Sequence, residues 1–328
     1  MATSMLAPHI GRIVFADYKA FRYHVDKDAP MTIAEQTGKI VLGRAVLGKT
    51  ALGAALALWA GAAVAAPVQK SEPVELASHR AVYEQKLATA RGKRPVEAVR
   101  GRILYDFSGS RCEGYALNFR QVSEIDSGEG QPMLTDLRAV TWEDSAAKSF
   151  RFNSQNYIDQ KLKAAVDGRA ERGGSGVGVN LSKPVAKKFG IGRGIFFPTD
   201  HMRRIIIAAR AGQTILEGPL FDGSDSGDRI YDTLSVIGAP IEPQSRPHDD
   251  AAAKDATLST LRRWPVSISY FDRAERGDKA SGEQTPVYSI TFELYENGVS
   301  RALSLDYNDF VVRGEMISLE IRPVKPCD

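Results

Sequence analysis

The side chains able to carry chemistry in this 328-residue chain are few and scattered. There are two cysteines, Cys112 and Cys327, and five histidines, of which only His79, His201 and His248 lie beyond residue 65. A hydrolytic triad or a multi-histidine metal site would have to be assembled from those three, and two isolated thiols make half a zinc site at best. Asp200 and His201 are adjacent and of the right types for a general base. No nucleophile motif accompanies them, so they read as the capped first turn of a helix with a polar neighbour.

Two other stretches have suggestive composition. Asp222, Asp225 and Asp228 could offer carboxylate oxygens to calcium, but their spacing of three does not match the alternate-position ligands and closing Glu of a calcium loop, and a polar hairpin loop fits better. Gly190, Gly192 and Gly194 lack the spacing of phosphate-binding and dinucleotide fingerprints, with no Lys-Ser or Lys-Thr following, and read as a turn. Carboxylate pairs of the glycosidic kind stay open in any chain with so many acids. The residues therefore call for no cofactor and no metal, and they display no catalytic constellation.

The N-terminus speaks to compartment. Lys39, Arg44 and Lys49 precede the uncharged run Thr50 to Ala62, and Ala63-Val64-Ala65 supplies a small-x-small cleavage site. The run is shorter than the about 20 apolar residues of a membrane span. The expectation is a secretory signal cut after Ala65, leaving no stable membrane span, with Met31 a natural start and Met1 to Pro30 an upstream extension. Residues 66–76 would form a leader and 77–328 a single domain.

Residues 1–65 hold seven of the 43 Lys and Arg and four of the 40 Asp and Glu, which leaves 36 of each sign. The basicity of the full chain thus belongs to the segment to be removed, and no basic patch with interleaved aromatics points to nucleic acid. In an exported chain a lone pair of cysteines reads as one disulfide.

The elements that must position these residues are mostly strands. Ile103, Tyr105 and Phe107 share one face of a strand, and Tyr115, Leu117 and Phe119 share one face of the next. The same alternation recurs in short segments bounded by turn residues, including 137–142, 149–154, 158–166, 214–220, 229–237, 266–271, 287–295, 302–307, 310–312 and 316–321. About a dozen strands in a row predict a single large barrel-like or spiral sheet. Residues 239–262, rich in Pro, Asp and Ala, read as an exposed, flexible loop.

One strong helix interrupts the pattern, from Pro198 to Gly212. Thr199 or Asp200 is placed to cap its N-terminus and Gly212 its C-terminus. Met202, Ile205, Ile206 and Ala209 share a face, and Ile207, Ala208 and Ala211 extend the apolar surface most of the way round. Such a helix calls for burial on several sides, as the plug of a curved sheet and the floor of any groove within it.

In combination, Ser110-Arg111-Cys112-Glu113-Gly114-Tyr115, Phe197-Pro198-Thr199-Asp200-His201, Tyr231 to Gly238 and the terminal Cys327 make the chain resemble the EipB family of alphaproteobacterial cell-envelope-integrity proteins. The resemblance implies a periplasmic β-spiral with a helix in its hollow, similar to lipoprotein-carrier cups, and a disulfide between Cys112 and Cys327. It also implies a non-enzymatic role in resisting envelope stress and a link to a periplasmic protein with tetratricopeptide repeats. The expected function is binding of a protein partner or an apolar ligand in the cup. A lipoprotein or lipid carrier, and from a different class an envelope hydrolase, are the alternatives.

Overall fold

The computed structural model describes residues 73–91, 96–245, 248–275, 284–324 and 327. The signal segment with its Ala63 and Ala65 lies outside them, as does the start of the leader. Val74 and Leu76, by contrast, are buried, so the end of the expected leader belongs to the core.

Fourteen antiparallel strands form one sheet. They are β1 (His79–Ala90), β2 (Ala98–Ser110), β3 (Gly114–Asp126), β4 (Met133–Glu143), β5 (Ser149–Ile158), β6 (Lys161–Gly173), β7 (Gly176–Lys183), β8 (Lys187–Ile191), β9 (Ile215–Leu220), β10 (Tyr231–Ile237), β11 (Arg263–Asp272), β12 (Tyr288–Tyr295), β13 (Ser300–Asp306) and β14 (Phe310–Ile321). The helix α1 spans Pro198–Arg210. Every consecutive pair is hydrogen-bonded except β8 and β9, and β1 pairs with β14, so the chain starts and finishes mid-sheet while β8 and β9 are its two edges.

That topology dictates the curl. Strands about 4.8 Å apart would put the edges of a flat fourteen-stranded sheet about 60 Å from each other. Yet the Phe196 N–H donates to the Pro219 carbonyl, and Phe221 N–H to the Phe196 carbonyl, beside β9. Phe196 is only five positions beyond Ile191, the end of β8, a reach of about 18 Å. The sheet must roll until its edges nearly meet, and α1 lies in the connection between them.

The alternation of each strand gives the roll an inside. Tyr83, Tyr105, Phe107, Phe119, Phe150, Tyr231, Tyr270, Tyr288 and Tyr307 are among its largest fully buried side chains. Their rings touch in series, as Tyr231–Tyr270–Tyr288–Tyr307–Phe310 across β10 to β14 and His79–Tyr105–Phe107–Tyr115 across β1 to β3. The connection from β9 to β10 tucks against β5: Phe221 meets Phe152 edge-on at 5.5 Å, and a Cβ on Gly223 would lie 2.3 Å from that ring.

Several expected boundaries shift. The segment 158–166 is two strands split at Asp159 and Gln160, both at positive φ, which no turn-type dipeptide announces. The segments 310–312 and 316–321 are one strand, β14. The glycine-rich stretch before α1 begins as edge strand β8, whose Lys187 and Lys188 discourage further pairing.

The described residues of 239–262 do not form a loose loop. They hold two short 3-10 turns, Ala251–Lys254 and Leu258–Thr260, with Ile241, Ala252 and Leu258 buried. A charge network fastens the segment: Asp250 pairs with Arg301 at 2.8 Å, and Arg263 pairs with Glu293 at 2.7 Å while donating to the Ser245 carbonyl. Prolines excluded regular elements here without preventing tertiary anchoring.

Candidate functional site

The first turn of α1 is built differently from its sequence pattern. Pro198 takes the first helical position, where its missing N–H costs nothing, and the N-cap is Phe197, whose side chain offers no acceptor. Thr199 and Asp200 therefore lie inside the helix and do not cap it. Glu143, the last residue of β4, does so from a distance: Oε2 accepts the Thr199 N–H at 2.7 Å and Oε1 accepts the Asp200 N–H at 2.8 Å. Nothing local in the sequence marks this role, because the two partners lie 56 and 57 residues away.

The C-terminus follows the expected pattern, one residue displaced. Ala211 is the C-cap, and Gly212 follows it at φ +70. Gly212 N–H donates to Ala209 and Gln213 N–H to Ala208, which is a Schellman motif.

Met202, Ile205, Ile206 and Ala209 are buried in the core, at 7% exposure or less, and neither outer groove described below includes them. Ile207 is 46% exposed and Ala211 is exposed as well, so α1 is buried on one broad face and does not meet protein all round.

Asp200 and His201 point to different partners. Asp200 pairs with Arg204 at 2.8 Å, an i,i+4 contact along the helix. The His201 ring stacks on Phe196 at 5.7 Å, and its Nε2 lies 3.2 Å from the Ser235 hydroxyl on β10. His201 is 1% exposed, and burial lowers its pKa to about 4, which keeps the imidazole neutral. Its Nδ1 has no hydrogen-bond partner among the described residues. A base shut in this way cannot reach a substrate.

Two carboxyls elsewhere in the fold are shut in as well. Burial pushes Glu143 up to about 8 against the pull of the two backbone N–H donors, and pushes Asp222 up to about 8 against hydrogen bonds from Ser224. The three Asp of 222–228 do not converge. Asp222 is buried at the seam, Asp225 accepts from the Tyr231 hydroxyl, and Asp228 pairs with Lys187 on β8 at 3.1 Å. Among the described residues no cluster of three or more His, Cys, Asp or Glu could hold a metal ion, and no helix is long and apolar enough to cross a membrane.

The structure joins Cys112 to Cys327, 215 residues apart, with Cα atoms 5.8 Å from each other. Cys112 sits in the turn between β2 and β3, so the bond ties the C-terminal tail to the β2–β3 hairpin.

Open volume is found on the other side of the sheet. A groove of about 790 Å³ crosses the outward face of β1 to β4, and a second of about 540 Å³ crosses that of β3 to β7. In the second, the Trp142 indole is already engaged: its N–H donates to the Glu113 carbonyl, Gly114 packs against its ring, and the Arg151 guanidinium lies 5.2 Å over it. These outward grooves were invisible in the sequence, because outward residues alternate with core residues on every strand and carry no pattern of their own.

Comparison with known proteins places these features. The sequence model of a family described as EipB-like matches residues 70–323. The cell envelope integrity protein EipB of Brucella abortus (strain 2308) is 38% identical over 275 residues, covering 84% of this chain and 94% of that protein. Among solved structures, the crystal structure of a β-barrel-like protein of a domain of unknown function, DUF1849, from Brucella abortus matches with a TM-score of 0.69 at 36% identity, covering 76% of this chain and 100% of that one.

Proposed function

The chain belongs to the EipB-like family, and from that premise we propose that it is a non-enzymatic periplasmic protein that maintains cell-envelope integrity by binding a protein partner. The observation that supports a binding role over carriage is where the described open volume lies. The inner face of the roll is occupied by the chain's own aromatic side chains and by the buried face of α1, whereas the two grooves described lie on the outward face. A carrier of lipid or lipoprotein needs an apolar hollow for its cargo.

Against the hydrolase reading stands the burial of Glu143, Asp222 and His201, three groups whose acid–base behaviour is strongly perturbed. All three serve the fold: one caps α1, one sits in the seam turn, one stacks on Phe196. A periplasmic tetratricopeptide-repeat protein is the first partner to test, on the strength of the family resemblance alone.

The test is deletion of the gene in its own host, with survival scored under detergent and cell-wall antibiotics. Loss of survival restored by the signal-bearing chain is the expected result. A deletion strain indistinguishable from wild type would overturn the proposal.

A further inference from the structure

The outer groove on β1 to β4 has a chemistry of its own. Its floor is half-buried aliphatic surface from Val82, Leu104 and Val122. Three exposed guanidiniums, Arg80, Arg100 and Arg102, border it, and among the described residues none of the three makes an ion pair. The other cations there are engaged: Lys86 pairs with Glu84 at 2.7 Å and Arg120 with Asp136 at 2.9 Å. Glu84 and Glu124 are the acids of the lining, so cations prevail.

The arrangement along β2 is regular. Arg100, Arg102 and Leu104 follow one another on the outward face at every second residue, about 7 Å apart in an extended strand. Register adds neighbours of both kinds: Val82 lies opposite Leu104 and Glu84 opposite Arg102 on β1, while Val122 lies opposite Arg102 and Glu124 opposite Arg100 on β3. An extended polypeptide lying along β2 presents its own alternate side chains at that same spacing. Carboxylates at two successive outward positions would meet the two guanidiniums, which bind carboxylates through paired N–H donors, and an apolar third would meet Leu104 and Val82.

We propose that this groove docks an extended acidic segment of a partner protein, with acidic residues at positions i and i+2 and an apolar residue at i+4. The inference rests on reading the chain as a binding protein and names the chemistry of what it binds. The probes are fluorescein-labelled decapeptides, one carrying Glu, Glu and Leu at that spacing in a Ser/Thr background, one with Lys in place of both Glu.

Fluorescence anisotropy with the processed chain should show binding of the acidic peptide that weakens at least tenfold in 500 mM salt and at least tenfold in R100E/R102E, with no binding of the Lys peptide. The milder R100Q/R102Q variant, checked for an unchanged circular-dichroism spectrum, should weaken binding in the same direction. Absence of binding, equal binding of both peptides, or binding indifferent to the substitutions would overturn the proposal. So would sedimentation of the chain with phosphatidylglycerol vesicles in the absence of any peptide affinity. Such a failure would concern the groove alone, because the deletion strain tests the envelope role separately.

Discussion

The carboxyl group of Glu143 accepts the Thr199 N–H at 2.7 Å, so the end of one strand caps a helix that begins more than fifty residues later. The same helix reaches β10 through His201 and Ser235. In the order of the sheet β4 and β10 stand far apart, and α1 holds both. The helix is thus a tie across the roll as well as part of its core.

Removing that tie has a defined cost. Glu143→Ala leaves two buried N–H groups without acceptors and should destabilise by about 2–4 kcal/mol. Glu143→Gln keeps one acceptor oxygen and should cost about 1 kcal/mol. Urea unfolding measures both; equal losses for the two variants would show that packing, and not the hydrogen bonds, is at stake.

Stability should depend on pH in an uncommon direction. Glu143 and Asp222 have folded pKa values near 8 against ordinary values of 4.5 and 3.8. As pH falls from above 8 to 6.5 the fold takes up protons that the unfolded chain does not, and stability rises. Below 6.5 the unfolded chain protonates His79 and His201, which the fold holds neutral down to about 4, and that opposes the gain. Below about 4 the paired carboxylates with depressed values, such as Glu293, lose their charge and stability declines. Thermal melts should therefore rise from pH 8.5 to 6.5, level off, and fall below 4; a steady rise of Tm from pH 6.5 to 8.5 would contradict the assignment.

The disulfide closes a long loop. Chain-entropy arguments allow up to about 5 kcal/mol for such a closure. Cys112→Ser, or reduction of the wild type, should lower the melting temperature markedly with the strand spectrum retained at low temperature. An unchanged melt under reducing agent would show that the bond contributes nothing.

The seam where the β9–β10 connection meets β5 is testable at one glycine. Gly223 has φ +68, and a Cβ there would collide with the Phe152 ring at 2.3 Å. Gly223→Ala should cost about 2–4 kcal/mol. Gly130 has φ +82 but open space around it, so Gly130→Ala should cost only about 1 kcal/mol. Equal effects of the two would mean that the seam is not packed as described.

Much of this fold is legible in the sequence. Period-two apolar residues, such as Ile103, Tyr105 and Phe107, placed the strands, and the apolar face of α1 with Pro198 and Gly212 at its ends placed the helix. What stayed hidden depends on contacts between distant residues. The capping of α1 by Glu143 replaced the local candidates Thr199 and Asp200 because Pro198 moved the helix start one position ahead of them. The anchoring of 239–262 depends on Arg263, Glu293 and Arg301, charged residues that look like surface until paired. The grooves belong to outward positions, which periodicity assigns to solvent without saying what they face.

The central claim is that the chain serves the envelope by binding at its surface and not by carrying an apolar cargo inside. Native mass spectrometry of the protein purified from the periplasm of its own host tests this most directly. The account predicts the mass of the processed, disulfide-bonded chain alone, with no lipid released on organic extraction. A lipid or acylated peptide retained at one molecule per chain would contradict it.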